Sequence, residues 1–275
     1  MFRRSIYKSA RELRAMRPAG AATAAALAEA RRLIAPGANG LELDAAAERV
    51  IADLGGRSNF KLEPGYDHTL CVSVDDDVVH GIPTDRPFRP GAIVSVDGGA
   101  EVDGWNGDSA FTVVIPDPDR PELVASRTRL NHVTEGSLWR GIAALATASR
   151  LNEVGDAIEE YIEEAGEFGI LTDYVGHGIG RSMHEEPPVF NYRVDRRGPA
   201  VRPGLVVAIE PMIVAGSIET FIRDDGWTVT TSDGADSAHW EHSIAVHDDG
   251  IWVLTAEDGG AAGLAPFGIV PTPIG

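Results

Sequence analysis

Four acidic residues stand within or beside runs of apolar residues, and this pattern constrains the fold more than any other feature of the sequence. Asp97 and Glu210 each follow an apolar run, Asp108 precedes one, and Glu241 follows a tryptophan. Carboxylates are rarely buried unless they are paired, hydrogen-bonded or bound to a metal. A single such acid can face water on the polar side of its strand. Four of them, together with His177, favour a fold that brings all five side chains to one buried site.

The charge of these five side chains indicates a site for two divalent metal ions. Four carboxylates and one neutral imidazole carry a charge of −4, which two divalent ions balance. Without metal, the carboxylates repel one another and some of them take up protons. Oxygen-rich ligation with a single nitrogen points to Mn(II), Fe(II), Co(II) or Zn(II). Cys71 is the only cysteine and cannot build a sulfur-ligand site alone.

The segment from residue 176 to 188 places His177 among three glycines, and a second histidine, His184, follows seven residues later. Glycines allow the backbone to turn sharply and to approach a bound group closely. A lone histidine on such a loop is also compatible with a hydrogen-bonded surface residue. The acids elsewhere in the chain favour a metal ligand.

Hydrophobic periodicity and turn residues predict two halves of the same α+β class. Ser9 is placed to cap a helix that runs to Ile34, and a second helix begins near Leu41. A second pair of helices is predicted over residues 122–149 and 152–165, and segment 154–166 resembles segment 43–55. Predicted strands follow each pair of helices, at residues 69–74, 92–97 and 108–115 in the first half and at 205–213, 228–231, 240–246 and 251–254 in the second.

These elements predict where the site lies. Asp97 and Asp108 fall on the two arms of a hairpin whose connection is rich in glycine. Two similar halves that face each other place a site where their sheets meet. The last residues, 259–275, are rich in glycine and proline with little to bury. This tail is expected to be loosely ordered or packed along the surface.

Composition excludes several classes of partner. The chain has 42 acidic and 24 basic residues and a formal charge of −18, so broad binding to nucleic acid is not expected. The single cysteine excludes an intramolecular disulfide and favours a reducing compartment. Residues 1–8 are not followed by the apolar core that an export signal needs. Charged residues interrupt the alanine-rich run, so no membrane span is expected. The sequence therefore predicts a cytoplasmic protein, with a monomer as the default.

The motifs of the chain resemble those of the bacterial type I methionine aminopeptidases over nearly the whole length. The matching segments are Tyr174 to Gly180, His184, Val189 to Tyr192, His80 to Pro83, Gly107-Asp108, Ile209 to Met212 and Trp240 to His242. The resemblance implies the pita-bread fold, an α+β architecture of two pseudo-symmetric halves in which helices pack on antiparallel strands around a dinuclear metal site. Residues 1–258 then form a single catalytic domain that precedes the tail.

The resemblance also implies metal ligands. Asp97 chelates one of two divalent ions (Co, Mn, Fe or Zn), Asp108 and Glu241 bridge the two, and His177 with Glu210 completes the other. The substrate's free α-amine ligates a metal, which restricts cleavage to the N-terminal residue.

The implied activity is removal of the N-terminal methionine from nascent polypeptides, with a preference for a small second residue. A hydroxide that bridges the metals attacks the first peptide bond. Glu210 shuttles the proton to the leaving amine, His184 stabilises the oxyanion and His80 binds the backbone nitrogen of the scissile bond. For both histidines, a purely structural role in a turn is the alternative.

An apolar pocket for the methionine side chain is implied as well. Its walls correspond to Tyr66, Cys71, Met183 and Trp227. Three positions depart from the family pattern: Met183 replaces the usual phenylalanine, Glu63 a common aromatic residue and His239 the usual glutamine. His239 is expected either to add a hydrogen-bond donor or to give activity an unusual pH dependence.

Three other functions fit parts of the pattern. An X-Pro aminopeptidase or prolidase shares the fold, but those enzymes usually carry an additional N-terminal domain for which Ser9 leaves no room. A non-enzymatic binding protein on the same scaffold would bind no metal and would have lost metal ligands, whereas this chain keeps all five. A structural metal-binding protein has no peptidase activity. The chain shows no zinc-finger extension, so any ribosome contact is expected to be weak and transient.

Overall fold

The computed structural model describes residues 5–275, and within this range the chain forms two halves that each pair helices with antiparallel strands. Residues 1–4, which belong to the segment predicted to lack an export signal, lie outside the described residues. The helices are α1 Ala10–Leu33, α2 Gly40–Asp53, α3 Pro121–Leu145, α4 Glu153–Ala165 and α5 Ala261–Leu264. None of them is both long and apolar enough to cross a membrane.

The strands are short except for one long hairpin. They are β1 Arg57–Ser58, β2 Leu70–Val74, β3 Asp77–Val79, β4 Ile93–Val102, β5 Trp105–Val114, β6 Gly169–Ile170, β7 Gly176–Gly178, β8 Glu185–Val189, β9 Val206–Ile209, β10 Met212–Val214, β11 Thr220–Ile222, β12 Val229–Thr231, β13 Ser237–His239, β14 His242–His247 and β15 Gly250–Val253.

Both helices of the first half begin with the caps that their sequences predict. The Ser9 side chain accepts from the Glu12 N–H, and the Glu12 carboxylate accepts from the Ser9 N–H at 2.8 Å. Asn39 and Glu42 form the same reciprocal arrangement at α2. These bonds satisfy N–H groups that lack a partner in the first turn. The buried face of α1 packs on the β4–β5 hairpin, and this contact forms much of the core of the first half.

The hairpin places two of the predicted ligands on neighbouring strands. Strand β4 lies between β1 and β2 and pairs with β5, so that Asp97 faces Ala110 and Asp108 faces Gly99. The predicted hairpin is confirmed. The prediction of a glycine-rich connection is wrong, because both strands continue to a tight turn at Asp103-Gly104, where both residues have positive φ.

In the second half, α3 and α4 accompany a five-stranded sheet of order β15-β14-β9-β7-β8. The halves join at the start of β14, where the backbones of Glu241 and Ala110 exchange hydrogen bonds of 3.0 and 3.2 Å. Ser243 Oγ donates to Asp108 O at 2.8 Å. Glu210 lies between β9 and β10, and Glu241 immediately precedes β14. These two acids therefore stand at strand ends and not within strands as predicted.

The tail packs against the second half. Leu264 and Ile274 are 0% and 5% exposed, and the Thr272 N–H donates to Ile251 O of β15 at 3.0 Å. Of the two predicted arrangements the chain adopts the packed one. The tail buries more apolar surface than its composition indicates, because these two side chains reach the main core.

Candidate active site

One cavity of about 150 Å³ collects every residue that the sequence predicts for the site. It is lined by the five predicted ligands Asp97, Asp108, His177, Glu210 and Glu241, by His80 and His184, and by Tyr66, Cys71, Met183 and Trp227. Glu63 also lines it, as do Phe60 and Val79, which sequence reasoning missed. The only sequence signal for Phe60 was that it is an apolar residue within a turn-rich stretch. A larger groove of about 920 Å³ contains none of the predicted residues.

Three of the predicted ligands form a compact group at one end of the cavity. Asp108, His177 and Glu241 each present one ligand atom, and these atoms lie within 4.8 Å of one another. Glu210 is adjacent, with its Oε1 atom 3.4 Å from His177 Nε2. Asp97 lies on the strand beside Asp108. The structure thus brings residues from both halves to one point, and His177 lies on strand β7 and not on a loop as predicted.

The polar atoms of this group fit divalent cations. Asp97 Oδ1, Asp108 Oδ1 and Glu241 Oε1 are buried and have no hydrogen-bond partner within residues 5–275. Buried oxygens without partners are costly, and a metal ion satisfies them. His177 Nδ1 lies 3.0 Å from Gly178 O, so the proton sits on Nδ1 and Nε2 keeps a free lone pair. This donor set suits metals that accept oxygen and imidazole ligands.

Burial and mutual repulsion change the acidity of the whole group. Burial raises the pKa of Asp108 to about 7. Burial also raises the pKa values of Asp97, Glu210 and Glu241, and the neighbouring Asp108 charge raises them further. The pKa of His177 is lowered to about 4, chiefly by burial. In the metal-free protein the acids therefore hold protons that a cation must displace, whereas the imidazole is already neutral.

His80 occupies an unusual backbone conformation beside this group. Its φ of 59° is in the left-handed region, which non-glycine residues adopt mainly where surrounding structure enforces it. The next residue, Gly81, accepts from the Val72 N–H at 2.7 Å and donates to Ser73 Oγ at 3.1 Å. A Cβ at Gly81 would lie 2.4 Å from Val72 O. This close contact with β2 fixes the His80 ring, which lies edge-on to Tyr174.

His184 lies on the loop between β7 and β8. Its ring centroid is 4.4 Å from that of His177, at an interplanar angle of 70°. Burial lowers the pKa values of His184 and His80, so both rings are neutral at neutral pH. Each can then donate from one ring nitrogen and accept at the other.

The whole chain resembles one group of proteins. The model of metallopeptidase family M24 matches residues 14–248. Methionine aminopeptidase 1 of Mycobacterium tuberculosis is 45% identical over 254 residues, which cover 90% of this chain and 94% of the relative. The crystal structure of methionine aminopeptidase from Thermotoga maritima has a TM-score of 0.85 at 37% identity, over 94% of this chain and 100% of the other. The chain belongs to the methionine aminopeptidases of family M24.

Membership of family M24 confirms the predicted pita-bread fold. Prolidase from Pyrococcus furiosus shares the fold at 21% identity, with a TM-score of 0.68 and 65% of its chain covered. At this identity the likeness concerns the fold alone. The comparison therefore favours the methionine aminopeptidases over the prolidases considered from the sequence.

The apolar wall of the cavity is a small separate core. Phe60, Tyr66, Cys71 and Met183 are buried together, and Trp227 packs against them. The Tyr66 and Trp227 rings lie 5.0 Å apart at 65°, and Tyr66 Oη donates to Leu70 O at 2.7 Å. The polar end of Tyr66 is thus satisfied away from the cavity, which leaves an apolar surface for a ligand.

His239, one of the three departures from the family pattern, is buried beside Glu210. Its Nε2 atom lies 3.8 Å from Glu210 Oε2, too far for a hydrogen bond, and has no other partner among the described residues. Burial lowers the pKa of His239 to about 3. In this structure His239 is therefore a neutral neighbour of Glu210, and the extra hydrogen bond predicted from the sequence is not made.

Proposed function

We propose that this protein removes the N-terminal methionine from nascent polypeptides by metal-dependent hydrolysis of the first peptide bond. The observation that carries the proposal is that one cavity is lined both by candidate metal ligands and by an apolar wall. A group of buried acids and one imidazole with free oxygen and nitrogen atoms lies at one side, and an aromatic, thiol and thioether wall lies at the other. A preference for a small second residue is proposed from the resemblance to the family.

The four acids and one histidine are proposed to hold two divalent ions, with Co, Mn, Fe and Zn as candidates. Asp97, Asp108, His177, Glu210 and Glu241 would hold these ions, through the buried oxygen atoms and the imidazole nitrogen described above. Such ions supply Lewis acidity, which lowers the pKa of water towards neutrality and polarises a carbonyl group.

Three side chains are proposed to act on the substrate directly. Glu210, whose pKa is raised by burial and by the Asp108 charge, takes the proton from the attacking water and delivers it to the leaving amine. His184 donates a hydrogen bond to the developing oxyanion, an interaction worth about 2.7–4 kcal/mol where it has been removed from enzymes. His80, neutral because burial lowers its pKa, binds the nitrogen of the scissile bond.

The apolar wall accounts for the side-chain preference. An unbranched thioether is expected to pack against Tyr66 and Met183, which line the cavity, and sulfur contacts with the Tyr66 and Trp227 rings are favourable. An apolar pocket separates side chains of similar volume only modestly. Leucine is therefore expected to be a slow substrate and not an excluded one.

The remaining features of the protein are proposed on the same basis. Residues 1–258 form one catalytic domain to which the tail 259–275 is attached, and the protein acts as a monomer in the cytoplasm. With a formal charge of −18, contact with the ribosome is weak and transient, since RNA repels an acidic surface.

A peptide panel tests the proposed activity. Metal-stripped protein is incubated with Met-Ala, Met-Lys or Ala-Pro peptides, with and without Mn(II), and released amino acids are quantified. The proposal predicts metal-dependent cleavage of Met-Ala, slower cleavage of Met-Lys and no cleavage of Ala-Pro. Cleavage of Ala-Pro alone identifies a prolidase, and no cleavage with any metal supports a binding protein.

Two variants locate the cleavage in the cavity. Trp227→Ala removes an aromatic wall and is expected to raise KM for Met-Ala. Trp139→Ala is the matched control, because Trp139 packs near Gly263 and His242, outside the cavity lining. Equal effects of the two variants would show that cleavage does not use this pocket.

A further inference from the structure

Lys8, in the segment before α1, reaches the loop that carries His184. Its Nζ atom donates to Glu185 Oε2 at 2.8 Å, and only 6% of the Lys8 side chain is exposed. Glu185 directly follows His184 in the chain. An ion pair thus joins the segment before the first helix to the residue next to a proposed substrate-binding histidine.

The carboxylate of Glu185 also organises the loop itself. Its Oε1 atom accepts from the backbone N–H groups of Arg181 and Ser182 at 2.7 and 3.1 Å. One carboxylate therefore closes a turn with one oxygen and binds Lys8 with the other. Burial acts to raise the pKa of Glu185, but the hydrogen bonds from Lys8 and the loop lower it overall. The loop is held by a charged group that stays ionised.

Two glycines make room for this arrangement. A Cβ at Gly180 would lie 2.7 Å from Lys8 Cε and 2.9 Å from Glu185 Oε1. A Cβ at Gly204, whose φ is +97°, would lie 2.3 Å from Lys8 O. All three distances are shorter than real Cβ contacts. At Gly204 the conflict is with the Lys8 backbone and φ is in the left-handed region, so the path of Lys8 requires glycine there, whereas a Cβ at Gly180 would displace the ends of the two side chains that form the ion pair. The ion pair is built into the fold and is not a chance surface contact.

Lys8 is itself held in place at its backbone. Its N–H donates to Gly204 O at 2.7 Å, and the preceding residue, Tyr7, donates from Oη to Ala200 O at 2.8 Å. On the other side of the loop, the side chain and backbone of Asn106 both donate to Gly180 O, at 3.0 and 2.9 Å. The loop is therefore held between the segment before α1 and the β5 strand.

We propose that Lys8 is a positioning residue for His184, acting through Glu185 and the turn that Glu185 closes. The inference rests on the proposed function, since His184 is the group that contacts the developing oxyanion. Loss of the ion pair frees the turn and misplaces the imidazole, and small misplacements of such groups reduce the rate of the chemical step. Asp97, Asp108, Glu210 and Glu241 lie on other segments, and His177 lies on β7, which also pairs with β9, so the metal ligands are expected to keep their places.

The test combines two single variants with their double variant. Lys8→Met removes the charge and keeps the length of the side chain. Glu185→Gln keeps an oxygen for the Arg181 and Ser182 N–H groups but weakens the bond to Lys8. Arg32→Met is the matched control, because Arg32 forms an exposed ion pair with Glu29 within α1 and neither residue lines the cavity.

Three experiments are carried out on each variant. They measure kcat and KM for Met-Ala-Ser with Mn(II), the Mn(II) dissociation constant by calorimetry, and hydrogen exchange of the Arg181 and Ser182 amides. We expect kcat to fall about tenfold in both single variants, with KM and Mn(II) affinity changed less than about twofold. The two amides exchange faster in Lys8→Met, and the double variant is no slower than the single ones, because both remove the same interaction.

Several results would overturn the inference. One is an unchanged kcat in Lys8→Met beside an active wild type. Another is a parallel loss of kcat and Mn(II) affinity, which indicates general destabilisation. A third is additive losses in the double variant. If the wild type itself releases no methionine with any metal, the proposed function fails, and the amide exchange still reports whether Lys8 holds the loop.

Discussion

Replacing Asp108 with asparagine is predicted to stabilise the metal-free protein at pH 8. Asp108 is 3% exposed, and its Oδ1 atom has no hydrogen-bond partner within the described part of the chain. Burial raises its pKa from 3.8 to about 7. The ionised carboxylate is therefore less favourable in the folded chain than in the unfolded chain, and the neutral amide does not carry this cost.

The two pKa values give the size and the pH dependence of the effect. A carboxyl group whose pKa is raised by folding causes no loss of stability below the unfolded pKa, and the loss grows as the pH rises to the folded value. For Asp108 this loss of stability amounts to about 2 kcal/mol at pH 5 and about 4 kcal/mol at pH 8. These values are upper limits on the gain, because the buried amide also lacks a partner.

Urea unfolding in the presence of a chelator measures this gain at pH 5 and pH 8. The free energy of unfolding of the variant is expected to exceed that of the wild type at both pH values, and by more at pH 8. With saturating Mn(II) at pH 8 the wild type is expected to be the more stable of the two, because the variant has lost a ligand and gains less stability from metal binding. A metal-free variant that is less stable than the wild type at pH 8 would refute this reasoning, as would a gain that does not depend on pH.

Asp117→Asn is the matched control for the same chemical change. The Asp117 carboxylate accepts from Arg120 Nε at 2.7 Å, and this bond lowers the pKa of Asp117. A carboxyl group with a lowered pKa stabilises the fold above its unfolded pKa, and this contribution is lost as the pH falls. The control is therefore expected to lose stability at pH 8, opposite in sign to Asp108→Asn.

Three further substitutions test other parts of the site. Gly81→Ala places a Cβ 2.4 Å from Val72 O, and it is expected to lower the free energy of unfolding by about 2–4 kcal/mol, measured with urea. Met183→Phe replaces a flexible wall of the pocket with a rigid one, and it is expected to raise the kcat/KM preference for Met-Ala over Leu-Ala about threefold. His80→Ala is expected to lower kcat/KM for Met-Ala-Ser at least about tenfold while Mn(II) affinity, measured by calorimetry, is unchanged.

Local patterns of the sequence predicted the elements and part of the site. Ser9 marked the start of α1, and apolar runs marked the hairpin that carries Asp97 and Asp108. These features depend on neighbours in the chain, so that residue types and spacing are enough to find them. Acids placed against apolar runs identified the candidate ligands for a related reason, since such acids need a buried partner.

Contacts between distant segments were not predictable in the same way. Glu210 and Glu241 reach the group from strand ends, and their positions depend on how the two sheets join at Ala110. Lys8 and Glu185 are 177 residues apart, and a lysine before a capped helix reads as an ordinary surface residue. The family resemblance supplied the proposed role of each ligand, but it did not indicate this ion pair.

The central claim is that metal held by the His177 group drives the release of N-terminal methionine. The most direct test is hydrolysis of Met-Ala-Ser by metal-stripped protein during titration with Mn(II) or Co(II), for the wild type beside His177→Ala. The account predicts that metal restores methionine release in the wild type and that the variant stays inactive at metal concentrations that saturate the wild type. Release without metal, or equal release by the variant, would contradict it.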